Sequence, residues 1–421
     1  MMPGKSQTPA LRFAGFTEEW VERKLGEIVT SYSDPVPTPT NGYVRLGIRS
    51  YAKGTFHSYV EPGKQLETAQ MHRVAADKLI VNITFAWEHA VAVTTEGDSG
   101  KLVSHRFPQF SFNEGMVPLF FSYSVRDANF RHHLTLSSPG GAGRNRVLKV
   151  SKMLEYKFSF PLSEEQTAIG LFFLKVDALI AQQQKKVEKL QGIKKGLMKK
   201  MFPRGGCTLP EVRFAGFDGE WVESRFPDLF VYLKNNTLSR ACQADEGSDV
   251  QNIHYGDVLV KYSNCVDPES DRIPHILKEK LSESIQSCFL TNGDIIIADT
   301  AEDTTAGKCC ELLLHTDRKI VSGLHTIPCR PVRQFGYGFL GYYLNSESYR
   351  IQLYPLMQGI KVISISRGSL QTTEVCFPDS TTEQSSIGSL FRKLDTLITL
   401  HGQKLEKLRH VKQALLGKMF V

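Results

Sequence analysis

The sequence predicts a mixed α/β (α+β) chain: two globular domains separated by an antiparallel pair of long coiled-coil helices, with an internal pseudo-two-fold repeat. Three observations predict it. A short aromatic box occurs twice, a long helical segment occurs twice, and each stretch between them holds short β-rich runs broken by Gly, Pro, Asn and Asp.

The first box is Pro9-Ala-Leu-Arg-Phe-Ala-Gly-Phe16 with Trp20, and it returns as Pro210-Glu-Val-Arg-Phe-Ala-Gly-Phe217 with Trp221, an offset of 201 residues. The long segment Gln166 to Phe202 aligns without a gap on Gln384 to Phe420, sharing Ile169/Ile387, Gly170/Gly388, Asp177/Asp395, Glu188/Glu406 and Leu190/Leu408. Both copies close on Lys-Met-Phe. Along the first, Val176, Ile180, Gln183, Val187, Leu190, Lys194, Leu197 and Met201 alternate spacings of four and three. Leu394, Ile398, His401, Leu405, Leu408, Lys412, Leu415 and Met419 do the same in the second. Each series is a coiled-coil seam. At about 1.5 Å per residue each copy makes a rod of roughly 55 Å, which needs a partner along its length. Two matched copies inside one chain favour intramolecular, antiparallel pairing over a generic dimerisation helix.

The resulting division is residues 1–161, 162–204, 205–378 and 379–421, alternating head and helix. Within the heads, Lys78 to Thr84, Asp257 to Lys261 and Asp294 to Ala298 read as strands. Little else repeats there except a Gly, ten residues, then Leu, at Gly143 to Leu154 and Gly359 to Leu370, with Pro161 and Pro378 following.

With 421 residues, 41% hydrophobic and 23% charged, the composition excludes disordered and fibrous classes. No stretch reaches the roughly 18 apolar residues of a membrane span, and the N-terminus has no apolar block, so a cytoplasmic protein is expected. The eight cysteines all lie between Cys207 and Cys376 without a Cys-x-x-Cys, which reads as reduced, buried thiols. The net charge of +7 conceals an uneven distribution, since Lys175–Arg204 holds nine basic and two acidic residues and Arg392–Phe420 seven and two. The helices therefore carry +12 and the rest −5, which suits an acidic partner such as nucleic acid.

In the heads, the loop Ser138-Pro-Gly-Gly-Ala-Gly-Arg-Asn-Arg146 with Lys149 combines bare glycine amides with guanidinium groups. Arg144, Arg146 and Lys149 suit phosphates or a guanine edge, and Asn145 suits adenine. The matching loop, Gln358-Gly-Ile-Lys361 with Arg367, is less basic. Arg45, Arg49 and Lys53, the trio Arg131-His132-His133, and Lys261 with Tyr262 and Asn264 complete the candidates. An ordinary solvated surface is the competing explanation for each. Catalytic signatures are missing: Gly307-Lys308-Cys309 lacks the pattern of a phosphate-binding loop, and no Gly-x-Ser-x-Gly, His-Glu-x-x-His or Asn/Asp-Pro-Pro-Tyr occurs. Glu302 and Asp303 read as solvated loop carboxylates rather than a Mg²⁺ site. The pattern is that of a binder.

Taken together, these residues resemble the specificity subunit of type I restriction-modification systems, over essentially the whole chain. The carriers are the two Arg-Phe-x-Gly-Phe-x-x-x-Trp boxes, the Pro-x-x-x-Glu-Gln start of a long helix at Pro161 to Gln166, Ile169-Gly170, Asp177, and Lys-x-Leu-x-x-x-Met-Phe at Lys195 to Phe202. The second copy departs slightly, its start at Pro378 to Gln384 being one residue longer and Gln413 replacing the lysine. The resemblance implies two target-recognition domains, each reading half of a split double-stranded DNA site. The helices, with Val176, Ile180, Val187, Leu190, Leu197, Leu394, Ile398, Leu405, Leu408 and Leu415 along their seams, would set the spacer and dock two methyltransferase subunits. Restriction subunits would join them. S-adenosylmethionine, ATP and Mg would belong to those partners, with no catalysis and no cofactor in this chain. A coiled-coil scaffold with two protein-binding heads and no DNA recognition accounts for the same helices and is the alternative.

Overall fold

A computed structural model describes residues 8–64, 70–140, 146–286 and 288–421. The chain forms two compact units. Unit one comprises residues 1–183 and 404–421, and unit two residues 184–403. The two long helices, Ser163–Lys200 and Thr381–Met419, each contribute one half to either unit. The compact units meet within the helices, at 183/184 and 403/404.

Unit one holds an antiparallel four-stranded sheet in the order Val29–Tyr32, Gln109–Phe112, Lys78–Val81, Val91–Val93. A five-stranded sheet beside it runs Pro35–Val36, Met71–Arg73, Leu102–Ser104, Tyr43–Ile48, Thr55–Val60. Its only parallel pairing joins Tyr43–Ile48 to Leu102–Ser104. The strand Lys78–Val81 is fully buried over its apolar part, as a continuous Leu-Ile-Val run requires. The helices Pro118–Ser124 and Ala128–Leu136 press Phe120, Phe121, Phe130 and Leu134 into the main core.

Unit two contains a five-stranded sheet ordered Phe230–Tyr232, Thr326–Pro331, Ile295–Ala298, Cys309–Leu312, Cys265–Val266, and a four-stranded one ordered Gln243–Ala244, His275–Ile276, Val250–Ile253, Lys319–Ser322. The expected strand at Ile295–Ala298 is central and wholly buried. Asp257–Lys261, however, is not a strand but a single wide helical turn. A strand would put Val258 and Val260 on one face. Here Val258 is buried in a core cluster and Val260 is 88% exposed, while Asp257 accepts both arms of Arg240 at 2.8 Å. Tertiary contacts override the β propensity of the run.

The repeated motifs prove to be a joint, built once in each unit. Arg12 of the first box forks onto Glu165 at 2.9 and 2.6 Å, and Arg213 of the second onto Glu383 at 2.7 and 2.8 Å. Each box thereby clamps the first turn of a long helix, and both glutamates are almost fully buried. The following glutamines tie the head to the helix. Gln166 accepts from Val117 N and donates to Pro161 O, and Gln384 accepts from Gly336 N and donates to Pro378 O. Trp20 and Trp221 lie buried beside Phe120 and Phe339. The box strands Val21–Lys24 and Val222–Arg225 pair antiparallel with Lys157–Phe160 and Glu374–Phe377.

Helix and strand positions at the end of each head differ by 217 residues, as Val150–Met153 against Arg367–Leu370 and Lys157–Phe160 against Glu374–Phe377 show. The buried counterpart of Leu370 is therefore Met153, not Leu154, so the spacing read from the sequence is one residue out of register. Gly143 lies outside the described residues. Of the cysteines, Cys265, Cys309, Cys310, Cys329 and Cys376 are buried, but Cys207 is exposed and Cys242 and Cys288 are half-buried, which corrects the expectation that all are interior. Burial pushes the Cys376 and Cys309 thiols up to about 12.

Two features generate tests. Gly170 and Gly388 let the start of a short head helix sit on the long helix. A Cβ at Gly170 would approach Leu119 Cγ at 2.9 Å and Phe120 N at 3.2 Å, while one at Gly388 would overlap the backbone of Tyr337 and Gly338. Backbone cannot rotate away as a leucine can. Gly388→Ala should therefore cost about 1–3 kcal/mol in urea unfolding despite a helix-propensity gain of up to about 1 kcal/mol, and Gly170→Ala distinctly less.

Glu311 is fully buried on the strand Cys309–Leu312 and accepts from Gly338 N at 2.8 Å and Gly341 N at 2.9 Å. Burial outweighs those donors and pushes its carboxyl up to about 7. Because the folded state holds this proton more tightly than the unfolded chain, the linked stability is full below about pH 4.3 and is lost as pH rises through about 7. The unfolding free energy of the native chain relative to Glu311→Gln should therefore fall between pH 5 and pH 8; a flat difference would remove Glu311 as the source.

Candidate nucleic-acid interface and helix pair

Every seam position from Val176 to Met201 and from Leu394 to Met419 is buried or half-buried, with Val187 and Leu405 among the best covered. In unit two, Leu190 and Leu197 pack on the core that holds Leu394, and Phe202 stacks on Phe391 at 5.8 Å. In unit one, Leu415 joins the core that holds Phe173, and Phe420 lies 5.9 Å from that ring. In both units the chain directions are antiparallel.

Two cations sit in these seams, and each has a built partner. Lys194 Nζ meets Asp395 Oδ1 at 2.5 Å, and Lys412 Nζ meets Asp177 Oδ1. Tyr342 donates to Asp395 at 2.8 Å and Tyr123 to Asp177 at 3.0 Å, while the lysines lie over those same rings at 5.4 and 5.5 Å. Burial and the neighbouring carboxylate raise both phenols far above their ordinary range. Asp395 additionally accepts from Ser263 at 2.8 Å. The sequence showed Asp177/Asp395 as identities and Lys194/Lys412 as seam positions. What it could not show was that the lysine of one helix faces the aspartate of the other.

Level with each ion pair lies an exposed apolar pair. Leu179 and Val411 in unit one are 52% and 45% exposed, and Leu397 and Ile193 in unit two 42% and 41%. Each immediately precedes a seam residue, and in an antiparallel pair such positions share one flank. The same small apolar patch is thus built twice.

In the unit-one head the candidate cations gather around two aromatic rings. Tyr51 is 54% exposed and carries Arg131 at 4.6 Å and Lys53 at 5.5 Å, and Arg146 stacks on Trp87 at 5.6 Å. Arg131 and Thr135 stand one turn apart on Ala128–Leu136, and Thr135 donates to Trp87 O, so one helix organises both stacks. Tyr51 and Ala52 are both left-handed, at φ 62° and 48°, held by hydrogen bonds from their N–H groups to Glu88 O and His89 O. Two consecutive non-glycine residues in that region store backbone strain, which marks a positioned side chain. Stacked cations beside the exposed ring of Tyr51 and the half-buried ring of Trp87 suit phosphates and bases together.

The remaining candidates divide. Arg45 is exposed and lines a cavity of about 490 Å³ with Phe56, Asn82, Phe85 and Glu88. Arg49 is committed to its own hairpin, donating to Thr55 O and lying over Phe56. Lys149 is exposed at the start of Val150–Met153. Arg144 and Asn145 lie outside the described residues. His133 bonds Lys152 O, which makes it structural.

In unit two, Lys361 and Arg367 are exposed, with Arg367 over Tyr232 at 5.4 Å. Lys261 donates to Arg272 O and lies on Tyr262, and Asn264 is taken by Lys194 and Gly341 O. Tyr262 is only 2% exposed and belongs to a core cluster, so its ring packs inside and cannot contact a ligand; the helical turn at Asp257–Lys261 swings it inward. Lys308 is likewise occupied, by Leu259 O and Tyr262 O. Among the described residues no group of His, Cys, Asp and Glu could hold a metal ion, and no helix is long and apolar enough to cross a membrane.

No protein-family model matches the chain. Among solved structures, it aligns over 98% of its length with 99% of the S subunit of a type I restriction-modification system from M. genitalium, at 12% identity and a TM-score of 0.53. The chain has the S-subunit fold. A chain from a study of complex assembly and conformational transition of the type I R-M system aligns with 95% of this one and 97% of its own length, at 16% identity and a TM-score of 0.51. At such identities the likeness is one of fold.

The ion pairs make a direct test of that frame. Asp395→Asn and Asp177→Asn each leave a half-buried lysine without its counter-charge, at a cost of about 1–3 kcal/mol, between exposed and fully buried pairs. Asp395→Asn should cost more, because three donors converge there against two at Asp177, as differential scanning calorimetry of the two variants would register.

Proposed function

We propose that this chain is the DNA-recognition specificity subunit of a type I restriction-modification complex. The two heads read the two halves of a bipartite double-stranded site, and the helix pair docks two copies of a methyltransferase subunit, to which restriction subunits are added. Catalysis, S-adenosylmethionine, ATP and Mg belong to the partners, and the work is done in the cytoplasm. The observation that carries the proposal is the duplicated frame: one joint and one apolar patch built twice, attached to heads whose surfaces differ. A frame made twice fits a partner bound twice, while unlike heads fit unlike half-sites. The stacked strip of Lys53, Tyr51, Arg131, Trp87 and Arg146 supports nucleic acid as the ligand of the first head.

Leu179 with Val411, and Leu397 with Ile193, are the proposed centres of the two methyltransferase docks. Leu179→Glu or Leu397→Glu alone should reduce the complex from two methyltransferase copies to one in native mass spectrometry, and the double variant should bind none. Two copies retained in the double variant would move the dock elsewhere. Recognition itself is tested with the assembled complex: affinity for duplex should depend on sequence and fall steeply with added salt. Binding indifferent to sequence and salt would favour a protein-binding scaffold.

A further inference from the structure

Unit two carries a hairpin whose tip is apolar and bare. Ile360 is 98% exposed and Val362 56%, with exposed Lys361 between them. Among the described residues no large apolar side chain is more open to water.

The backbone beneath the tip is firmly held. Gln358 N donates to Ser364 O at 3.0 Å and Ser364 N to Gln358 O at 2.8 Å. Gly359 has φ +109°, and a Cβ there would overlap Val362 O, so the tight turn requires glycine. Ile363–Ser364 pairs with Thr300–Ala301, and Ile365 is buried with its N–H on Asp299 O at 2.8 Å. The tip is therefore presented on a braced stem, and its exposure is not the by-product of a loose loop.

The surroundings favour a polyanion. From Gln358 to Arg367 the chain has two basic residues and no acidic one. Arg367 donates to Leu233 O and is followed across that contact by exposed Lys234. On the partner strand Asp299 is engaged by His325 and Thr300; Glu302 and Asp303, which follow Ala301 toward the tip, are exposed, and Asp303 accepts from Thr305, so the three cations Lys361, Arg367 and Lys234 stand against two carboxylates. A wedge between base pairs needs one or two apolar residues flanked by cations.

We infer that this hairpin is a DNA wedge: Ile360, backed by Val362, enters between adjacent base pairs of the half-site read by unit two and unstacks them, while Lys361 neutralises a flanking phosphate. The inference rests on the DNA-recognition reading above and adds the manner of contact. It also makes the two halves unlike, since the corresponding stretch of the first half reads Gly143-Arg-Asn-Arg146 in sequence, without a large apolar residue.

The test uses the full chain assembled with its methyltransferase partner. Sequencing of methylated bases defines the target, and duplexes of that target carry 2-aminopurine at successive positions of both half-sites. The native complex should raise fluorescence at one step, in one half-site only. Ile360→Ala should abolish that rise and weaken binding about tenfold or more without changing the salt slope, while its melting temperature matches the native chain. Lys361→Ala should keep the rise and reduce the salt slope by about one. Unchanged fluorescence and affinity in Ile360→Ala would overturn the wedge, as would a variant that binds DNA normally but loses a partner protein. A native complex with no sequence preference at all would instead overturn DNA recognition itself.

Discussion

The structure depends on two lysines placed in otherwise apolar seams. Lys194 and Lys412 must each find a carboxylate, and only Asp395 and Asp177 are offered. A parallel pairing, or one slipped by a turn, would leave four charges half-buried and unmatched, which costs far more than an exposed ion pair returns. Direction and register are thereby specified, as a polar seam position does in other coiled coils. The remaining contacts follow in each unit: with register set, Phe202 reaches Phe391 and Phe420 reaches Phe173. The core of unit one closes around residues from both ends of the chain, from Trp20 to Met419.

This arrangement separates two demands that one surface could not meet together. The joint of box arginine, buried glutamate, glutamine and glycine is the same in both units because it holds a long helix at a fixed attitude to its own head. The head surfaces are free of that demand and differ. Unit one offers cations stacked on Tyr51 and Trp87, with strain stored beneath Tyr51; unit two offers a braced apolar tip and an arginine stacked over Tyr232. Stacking fixes a guanidinium without burying it, so its charge stays available to a ligand.

Much of the frame was legible in the chain because heptad spacing and repetition are properties of order along the sequence. The seam residues are the covered ones, and the repeated Arg, Glu, Gln and Gly all belong to the joint. The heads were far less legible. Asp257–Lys261 has β-branched residues and yet turns as a helix, because the Arg240 fork on Asp257 and the burial of Val258 alone outweigh local preference. The same turn removed Tyr262 from the surface. Arg49 and Lys261 were chosen for their charge, and neighbouring carbonyls had already claimed them. Tyr51 and Trp87 went unnoticed since nothing local distinguishes an aromatic that cations will cover from one that a core will bury.

By itself the sequence determined a twofold frame: which residues recur, where the long helices run, and which of their faces must be covered. Only the tertiary structure decided which lysine meets which aspartate, which cations stay free and which apolar side chains are left outside. The reason is physical. Periodicity is encoded between neighbours in the chain, whereas the pairing of a charge and the exposure of a ring depend on groups up to 235 positions away, as Asp177 and Lys412 are.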